Sequence, residues 1–363
     1  MGEQPRFAGT GNARCHPAGC ATRPHDRERA LKKLINAPAD YVAEALAGMI
    51  AAHPGTFALT GASRRVVVRA APKPSGRVGV ITGGGFGHLP LFAGYVGQGL
   101  LDACAVGDVF AGPSADSVAE AFAAADRGAG VLAVIGNYGG DKLAFGMASD
   151  DCADRGVPVA TVIGNDDVAS AGPEEAAKRR GVAGIIFAFK AAGAAAEHGL
   201  PLDKVAAIAG RAVARCRTVG LALSSCTIPT RGQPTFEIED GAVEMGMGIH
   251  GEKGVWRGAL KPANALVDEM MDRLAADYPI AGGARYAVLV NSLGATPLEE
   301  LFIVYRRVAW RMSAAGATVA LPMVGHYVTS MEMAGASISL LHLDDELEGL
   351  LGAPTGCPFW RTT

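Results

Sequence analysis

The stretch "RVGVITGGGFGHLPLF", residues 77–92, decides the fold class. An apolar run, "RVGVIT", leads into a glycine-rich turn at residues 83–87, and His88 follows. A short apolar run bounded by glycines is typical of a buried strand in a parallel sheet. Glycine also allows a ligand to approach the backbone closely. The stretch therefore predicts a strand whose carboxyl end forms a cradle for a small polar ligand, with His88 beside it.

The same alternation continues along the chain. Strand-like runs such as "GVLAVIG", "VPVATVI" and "AGIIFAF" are separated by helical patterns such as "ADYVAEALAGMIAAH", "ADSVAEAFAAAD" and "PEEAAKRRG". This order predicts βαβ units and an α/β fold. After the long helical pattern "PLDKVAAIAGRAVARCRTVG" the sequence pattern changes, and strands are predicted at "RYAVLVNSLG" and "SISLLHL". We predict a disordered extension (1–30) and two α/β domains: the first (31–215) with a largely parallel sheet flanked by helices, the second (216–363) with the His250 loop.

Charge and composition exclude several classes of partner. The chain has 33 basic and 36 acidic residues, so it offers no basic field for nucleic acid or an anionic membrane. Its apolar runs are too short to span a bilayer and its start lacks a secretion signal, which predicts a cytoplasmic protein. Seven cysteines at irregular spacing do not indicate a disulfide framework. Four potential metal ligands cluster near the start of the chain: Cys15, His16, Cys20 and His25. They are weak evidence for a metal site, and no metal is predicted.

Two further glycine-rich segments carry groups with possible chemistry. In "VIGNYGGD" Asp141 follows a strand, where it is either a general base or, as spacing alone favours, the N-cap of the next helix. In "GMGIHGEKG" His250 stands among glycines, although a lone histidine is more often structural. Neither a P-loop nor a dinucleotide fingerprint occurs, so no common nucleotide cradle is predicted.

The long motifs, taken together, resemble the substrate-binding subunit of dihydroxyacetone kinase. The similarity runs from about residue 31 to 351, in family order, through "KKLIN", "GGGFGH", "GYVGQGLLDA", "GNYGGD", "KRRGVAG", "AGAAAEHG", "MGMGIHGEKG", "VNSLGATPLEEL" and "YVTSMEMAGASISLL". Several motifs in register are far more specific than any one glycine cluster.

The resemblance implies a set of roles. His250 would form a covalent hemiaminal with the ketone carbon of a short-chain ketose, which a polyol without a carbonyl cannot do. Asp141 would act as base on the terminal hydroxyl, and His88 would be its hydrogen-bonding partner. The remaining substrate contacts would come from Gly84, Gly85, Phe86, Gly87, Gly112 and Gly136.

The substrate pocket departs from the family pattern. Phe86 stands where the family usually has Ser, and Leu89 where it has Glu. Gly112 replaces Ser, and Gly136 replaces Lys. A site that loses hydrogen-bonding groups changes its discrimination between similar substrates. These departures predict a larger ketose than dihydroxyacetone, such as a four-carbon erythrulose-like compound or an oxidised sugar derivative.

The resemblance also implies partners. The chain would be a phosphotransferase acting on an alcohol group, of the glycerone or ketose kinase type. It would bind no cofactor itself, because a separate ATP-binding helical subunit would hold ATP, or ADP recharged by a phosphocarrier, with Mg²⁺. A homodimer is implied as well. Two alternatives stay open: a hydroxyketone-binding sensor without kinase activity, against which the retention of Asp141 argues, and an α/β protein whose glycine turns are merely tight connections.

Overall fold

Two six-stranded sheets organise the computed structural model, which describes residues 32–360. The predicted extension, residues 1–30, lies outside the described residues. The first sheet has the order β1-β2-β4-β3-β5-β6. Its strands are β1 (Phe57–Thr60), β2 (Val66–Arg69), β3 (Gly79–Phe86), β4 (Ala103–Val109), β5 (Val131–Gly136) and β6 (Val159–Gly164).

The first sheet is parallel along β4, β3, β5 and β6, while β1 and β2 pair antiparallel at one edge. Parallel neighbours need a long crossover, whereas antiparallel neighbours can be joined by a short loop. Both kinds of connection occur: α-helices lie between β4 and β5 and between β5 and β6, residues 87–102 with one 3-10 turn connect β3 to β4, and residues 61–65 connect β1 to β2. The α/β fold class predicted from the sequence is confirmed.

The second sheet has the order β11-β10-β12-β7-β8-β9, and only β10 and β11 in it pair in parallel. Its strands are β7 (Cys216–Ala222), β8 (Ala242–Met245), β9 (Trp256–Ala259), β10 (Arg285–Ser292), β11 (Thr318–Gly325) and β12 (Gly335–His342). All of them follow residue 215, and all strands of the first sheet precede it. The division into two domains stays a prediction.

Eight α-helices pack against these sheets in the described part of the chain: α1 (Tyr41–Ala52), α2 (Ala115–Ala125), α3 (Gly139–Asp154), α4 (Ile185–Glu197), α5 (Leu202–Ala214), α6 (Ala263–Asp277), α7 (Leu298–Ala314) and α8 (Asp345–Gly352). Short 3-10 turns lie at Pro38–Asp40, Ala93–Tyr95 and Pro173–Lys178. None of the helices in residues 32–360 combines the length and apolarity that a membrane crossing requires.

The run "AGIIFAF", predicted to be a strand, forms the start of α4, and that prediction was wrong. Periodicity cannot separate a short buried strand from a buried helix, and here the apolar run continues through "KAAGAAAE". Helix α4 is buried along its whole length, as expected for a helix that is apolar all round. The segment "PEEAAKRRG", predicted as a crossover helix, contains only the 3-10 turn.

Candidate active site

The glycines before His88 belong to strand β3 rather than to a turn. A Cβ at Gly83 would lie 3.0 Å from the Phe145 ring, and one at Gly84 would overlap the Phe92 ring. These glycines let two aromatic rings pack on the strand. The chain leaves β3 only at Gly87, whose φ of 101° suits glycine and few other residues. His88 therefore sits immediately after the strand end.

His88 is a buried, neutral hydrogen-bond acceptor. His88 is 1% exposed, and its Nδ1 lies 2.7 Å from the Thr329 carbonyl oxygen. A carbonyl oxygen only accepts, so Nδ1 carries the proton. Burial, and then the charge of His250, lower the pKa of His88 to about 3, so Nε2 is an unprotonated acceptor at neutral pH. Within the described residues this buried Nε2 has no hydrogen-bond partner.

His250 lies in the loop between β8 and β9 and is oriented by Glu252. Its Nδ1 is 3.0 Å from Glu252 Oε1, and its backbone N–H donates to Oε2 over 2.9 Å. Burial acts to raise the pKa of Glu252, but the hydrogen bond and charge of His250 lower it to about 2. The carboxylate is thus ionised and can only accept, so Nδ1 of His250 carries a proton. The free lone pair of His250 is on Nε2.

Arg180 lies beside Glu252 and hydrogen-bonds to the segments around the His250 loop. Its Nε donates to Asp167 Oδ2 over 2.8 Å, and its Nη2 donates to the Gly246 carbonyl over 2.9 Å. The positive charge of Arg180 also lowers the pKa of Glu252. A Cβ at Gly248 would lie 2.6 Å from Arg180 Nη1 and against Glu252 Oε2, so glycine is required where these two groups converge.

Aromatic rings bring the two histidines together. The His88 and His250 rings are 4.8 Å apart, edge to face. Phe110 stacks on His88 at 4.8 Å and lies 5.5 Å from His250, and Tyr138 meets His250 at 4.7 Å. Phe110 has φ of 58°, a left-handed conformation that is unusual for a bulky residue and recurs at functional sites. Sequence reasoning missed Phe110 and Tyr138, although both follow strand ends: Phe110 comes directly after β4, and Tyr138 lies in the segment "GNYGGD" after β5.

Asp141 lies in the first turn of α3 and does not cap it. The cap position belongs to Tyr138, and no side chain makes a capping hydrogen bond there. Asp141 is 5% exposed, and no hydrogen bond to its carboxylate is found within residues 32–360. Burial raises the pKa of Asp141 to about 6, against the lowering effect of nearby His250. The result is a buried carboxylate with a pKa close to the pH at which it would work as a base.

The other predicted contact residues lie around these groups. A Cβ at Gly112 would stand 2.5 Å from Asp141 Oδ1, and one at Gly136 would stand 2.9 Å from the Tyr138 ring. A Cβ at Gly85 would meet the Ala111 backbone N at 2.8 Å. The glycines thus allow close packing of the site rather than leaving it open. The Phe86 side chain is buried against the Tyr41 ring, 6.0 Å away, and the phenylalanine that contacts both histidines is Phe110.

Residues 328–331 connect the His88 segment to the His250 loop. The Thr329 carbonyl accepts from His88, and the Met331 N–H donates to the Gly87 carbonyl over 2.8 Å. The Ser330 hydroxyl donates to the Ile249 carbonyl over 2.5 Å. One short segment therefore fixes both histidines. The motif that contains it contributed to the resemblance, but its role was not predicted.

The assembled groups are two imidazole rings with free Nε2 atoms and one buried carboxylate. Imidazole Nε2 of His250 can add to an electrophilic carbon, and Nε2 of His88 and Asp141 can accept hydrogen bonds or protons. In the part of the chain that the structure describes, no three His, Cys, Asp or Glu side chains are placed to hold a metal ion.

Comparison with known proteins identifies the family. The Dak1 domain model matches residues 47–359. The dihydroxyacetone-binding subunit DhaK of the PTS-dependent dihydroxyacetone kinase 2 of Listeria innocua is 42% identical, covering 91% of this chain and 99% of that protein. The L-erythrulose 1-kinase of Mycolicibacterium smegmatis is 42% identical, covering 90% of this chain and 58% of that protein.

A crystal structure of the dihydroxyacetone kinase of C. freundii matches with a TM-score of 0.82 and 33% identity, covering 91% of this chain and 60% of that one. The chain thus spans somewhat more than half the length of that kinase and of the erythrulose kinase. The matched region includes every residue of the site, and the chain belongs to the Dak1 domain family of dihydroxyacetone kinases and their dihydroxyacetone-binding subunits.

Proposed function

We propose that this chain captures a short-chain ketose as a hemiaminal on His250 and presents a hydroxyl of the bound ketose for phosphoryl transfer. The observation that carries the proposal is the pairing of two histidines with complementary free nitrogens. His250 Nδ1 is held by the ionised Glu252, and the neighbouring ring of His88 has a buried, unbonded Nε2.

The capture step follows from the tautomer of His250. The Nε2 lone pair adds to the ketone carbon, the C=O π bond breaks, and the oxygen becomes a carbinol hydroxyl. The positive charge that develops on the imidazole lies against the Glu252 carboxylate. The oxygen takes one proton from solvent, which balances the addition, and the Nδ1 proton stays in its hydrogen bond to Glu252. A polyol has no electrophilic carbon, so the bond itself selects ketoses.

Asp141 and His88 accept hydrogen bonds from different hydroxyls of the tethered ketose. Both are acceptors at neutral pH, and one hydroxyl proton cannot be donated to both. Asp141, with its pKa near 6, takes the proton of the hydroxyl that is phosphorylated. His88 Nε2 accepts from another hydroxyl and fixes the orientation. Covalent capture then contributes positioning, which is most of what phosphoryl transfer requires from a protein.

The phosphoryl donor comes from a separate ATP-binding helical subunit that holds ATP, or ADP recharged by a phosphocarrier, with Mg²⁺. Two observations support this assignment. The sequence contains neither a P-loop nor a dinucleotide fingerprint, and the Listeria relative is named a dihydroxyacetone-binding subunit.

The ketose has three or four carbons, with a four-carbon erythrulose-like compound preferred. The name of the mycobacterial relative supports a four-carbon substrate, as does the departure at Gly112, which lies beside Asp141. Comparison of kcat/KM for ketoses of three to five carbons tests the size preference. A clear preference for dihydroxyacetone would contradict the four-carbon assignment while leaving the kinase assignment in place.

The kinase assignment itself is tested with the chain, a nucleotide-binding subunit of the family, ATP and Mg²⁺. Phosphorylated ketose should form with the unmodified chain, and Asp141→Asn should form far less of it. A chain that captures ketoses but yields no phosphorylated product with ATP or with a phosphocarrier-charged subunit would be a sensor instead.

A further inference from the structure

The Arg180 guanidinium lies beside two carboxylates, those of Asp167 and Glu252, but it pairs with only one of them. Its Nε and Nη2 both bond to Asp167 Oδ2, over 2.8 and 2.7 Å. Within residues 32–360 no hydrogen bond or ion pair joins Arg180 to Glu252. The Glu252 carboxylate accepts instead from the backbone N–H and Nδ1 of His250. Ketose capture needs these contacts of Glu252, and it has no direct use for Asp167.

Arg180 is close enough to Glu252 to compete with His250 for it. An ideal Cβ on Gly248 would lie 2.6 Å from Arg180 Nη1 and against Glu252 Oε2, so the two groups converge on one point. The positive charges of His250 and of Arg180 both lower the pKa of Glu252. Arg180 Nη1 makes no hydrogen bond in the described part of the chain, whereas Nε and Nη2 are occupied. It is therefore the nitrogen that can turn toward Glu252.

Asp167 fixes the position of this arginine. The Asp167 side chain is 3% exposed, and its second oxygen, Oδ1, accepts from the Ala169 N–H over 3.0 Å. Burial raises the pKa of Asp167 to about 6 against the lowering effect of Arg180, so Asp167 is ionised at neutral pH. The backbone joins the same two residues, because the Asp167 N–H donates to the Arg180 carbonyl over 3.1 Å. A buried, anchored carboxylate thus holds the guanidinium in one place.

We propose that Asp167 is a positioning residue for ketose capture, because it holds Arg180 away from Glu252. Glu252 then stays hydrogen-bonded to His250 Nδ1. The proposal rests on the capture step assigned to His250. A guanidinium can form two parallel hydrogen bonds to a carboxylate, whereas the His250 side chain offers Glu252 only one. An Arg180 released from Asp167 would therefore displace the ring of His250, and the imidazole proton would no longer be confined to Nδ1.

The ¹⁵N shifts of His250 in the unliganded chain test this proposal. The wild type should show a protonated Nδ1, whereas Asp167→Asn should show a mixture of tautomers. Its ketose capture should weaken by about 10-fold, the lower end of the range for a lost hydrogen bond to a charged group. The amide keeps an acceptor for the Ala169 N–H, so the charge is the main loss. The matched control is Asp102→Asn, which removes another buried, ion-paired carboxylate just before β4 and should change neither quantity.

Removing Arg180 as well separates positioning from a merely structural role. Arg180→Met added to Asp167→Asn should return His250 to a protonated Nδ1 and restore most of the lost capture, because the competing guanidinium is gone. Folds generally tolerate neutral replacement of a whole buried ion pair. Circular dichroism checks that each variant is folded. If Asp167→Asn is not, Asp167→Asn/Arg180→Lys takes its place, since its ammonium can still turn to Glu252.

Two results would overturn the proposal. One is a fully protonated Nδ1 in the variant that lacks only the Asp167 charge, and the other is a double variant with Arg180→Met that is no better than that variant. Neither reading of the tautomer requires a ketose. Tautomers that respond as expected in a chain that gains no mass with any ketone would refute the capture step instead, and would leave the positioning of His250 by Asp167 in place.

Discussion

The imidazole rings of His88 and His250 meet edge to face at 4.8 Å, although they come from segments attached to different sheets. The contact depends on residues 328–331, which bond to both segments. Each histidine has its Nδ1 occupied, one by a carbonyl and the other by a carboxylate. Both rings consequently have their reactive Nε2 lone pairs free for a ligand.

Glu252→Gln should weaken ketose capture by about 10- to 100-fold, the range expected when a hydrogen bond to a charged group is lost. The amide cannot stabilise the positive charge on His250 as the carboxylate does, and it no longer fixes the Nδ1 proton. The ¹⁵N shifts of His250 in the unliganded chain report the tautomer directly. The wild type should show a protonated Nδ1, and the variant a mixture. The control is Glu239→Gln, an exposed acid, which should change neither quantity. An unchanged tautomer in Glu252→Gln would contradict the role assigned to Glu252.

Asp141→Asn should lower kcat by about 100- to 10,000-fold while the ketose adduct still forms, because the base is lost and His250 is intact. In the wild type, kcat/KM should fall as the pH drops through about 6, where the carboxylate gains a proton. Loss of the adduct in Asp141→Asn would show that this residue acts in binding instead.

The raised pKa of Asp141 also has a consequence for stability. Below the pKa of the unfolded carboxyl both states are protonated, and above a pH of about 6 both are ionised. Stability therefore falls as the pH rises between these values, and the full penalty is present above pH 6. Urea unfolding should find Asp141→Asn more stable than the wild type at pH 7, by up to about 3 kcal/mol, with the advantage shrinking toward pH 4. An advantage that did not depend on pH would contradict this account.

Ser330→Ala should cost about 1–2 kcal/mol of stability, because the buried Ile249 carbonyl loses its donor next to His250. Capture should weaken as the His250 loop loses its anchor, whereas turnover per captured ketose should be unchanged. Denaturant unfolding and titration of the adduct measure the two effects. Ser313→Ala, at an exposed hydroxyl on α7, serves as the control. Equal losses of capture in both variants would show that Ser330 has no special role.

Asp277→Ala should cost about 3–5 kcal/mol, because Asp277 accepts hydrogen bonds from Arg179 and Arg217 and the Arg179 side chain is almost fully buried. Removing the carboxylate leaves that guanidinium without its counter-charge. The comparison is Asp345→Ala, which breaks an exposed pair with Arg285 and should cost less than about 1 kcal/mol. Similar values in thermal unfolding for both variants would contradict the importance given to burial.

The sequence predicts the site in outline because its chemistry lies at strand ends. Glycines before His88 and around His250 mark close backbone packing, which can be read from the residues alone. The tautomers of His88 and His250 cannot be predicted from the residues alone, because they depend on the hydrogen bonds to the Thr329 carbonyl and to Glu252. The contacts of Phe110 and Tyr138 with the histidines are likewise created by tertiary packing.

The secondary-structure elements that were predicted wrongly can also be explained in physical terms. The start of α4 resembles a buried strand because a helix enclosed on all sides shows no polar face. The strand β3 extends through glycines that favour a turn in isolation, because the Phe92 and Phe145 rings need the space of their missing side chains. Spacing alone favoured Asp141 as a helix cap, but the backbone of α3 places the cap three residues earlier.

The central claim is covalent capture of a ketose by His250, and native mass spectrometry measures it most directly. The chain and His250→Ala are each incubated with hydroxyketones of three to five carbons and with glycerol. We predict an added mass equal to the whole ketone for the unmodified chain, and none for the variant or with glycerol. A chain that gains no mass with any ketone, or a variant that gains the same mass as the wild type, would contradict the account.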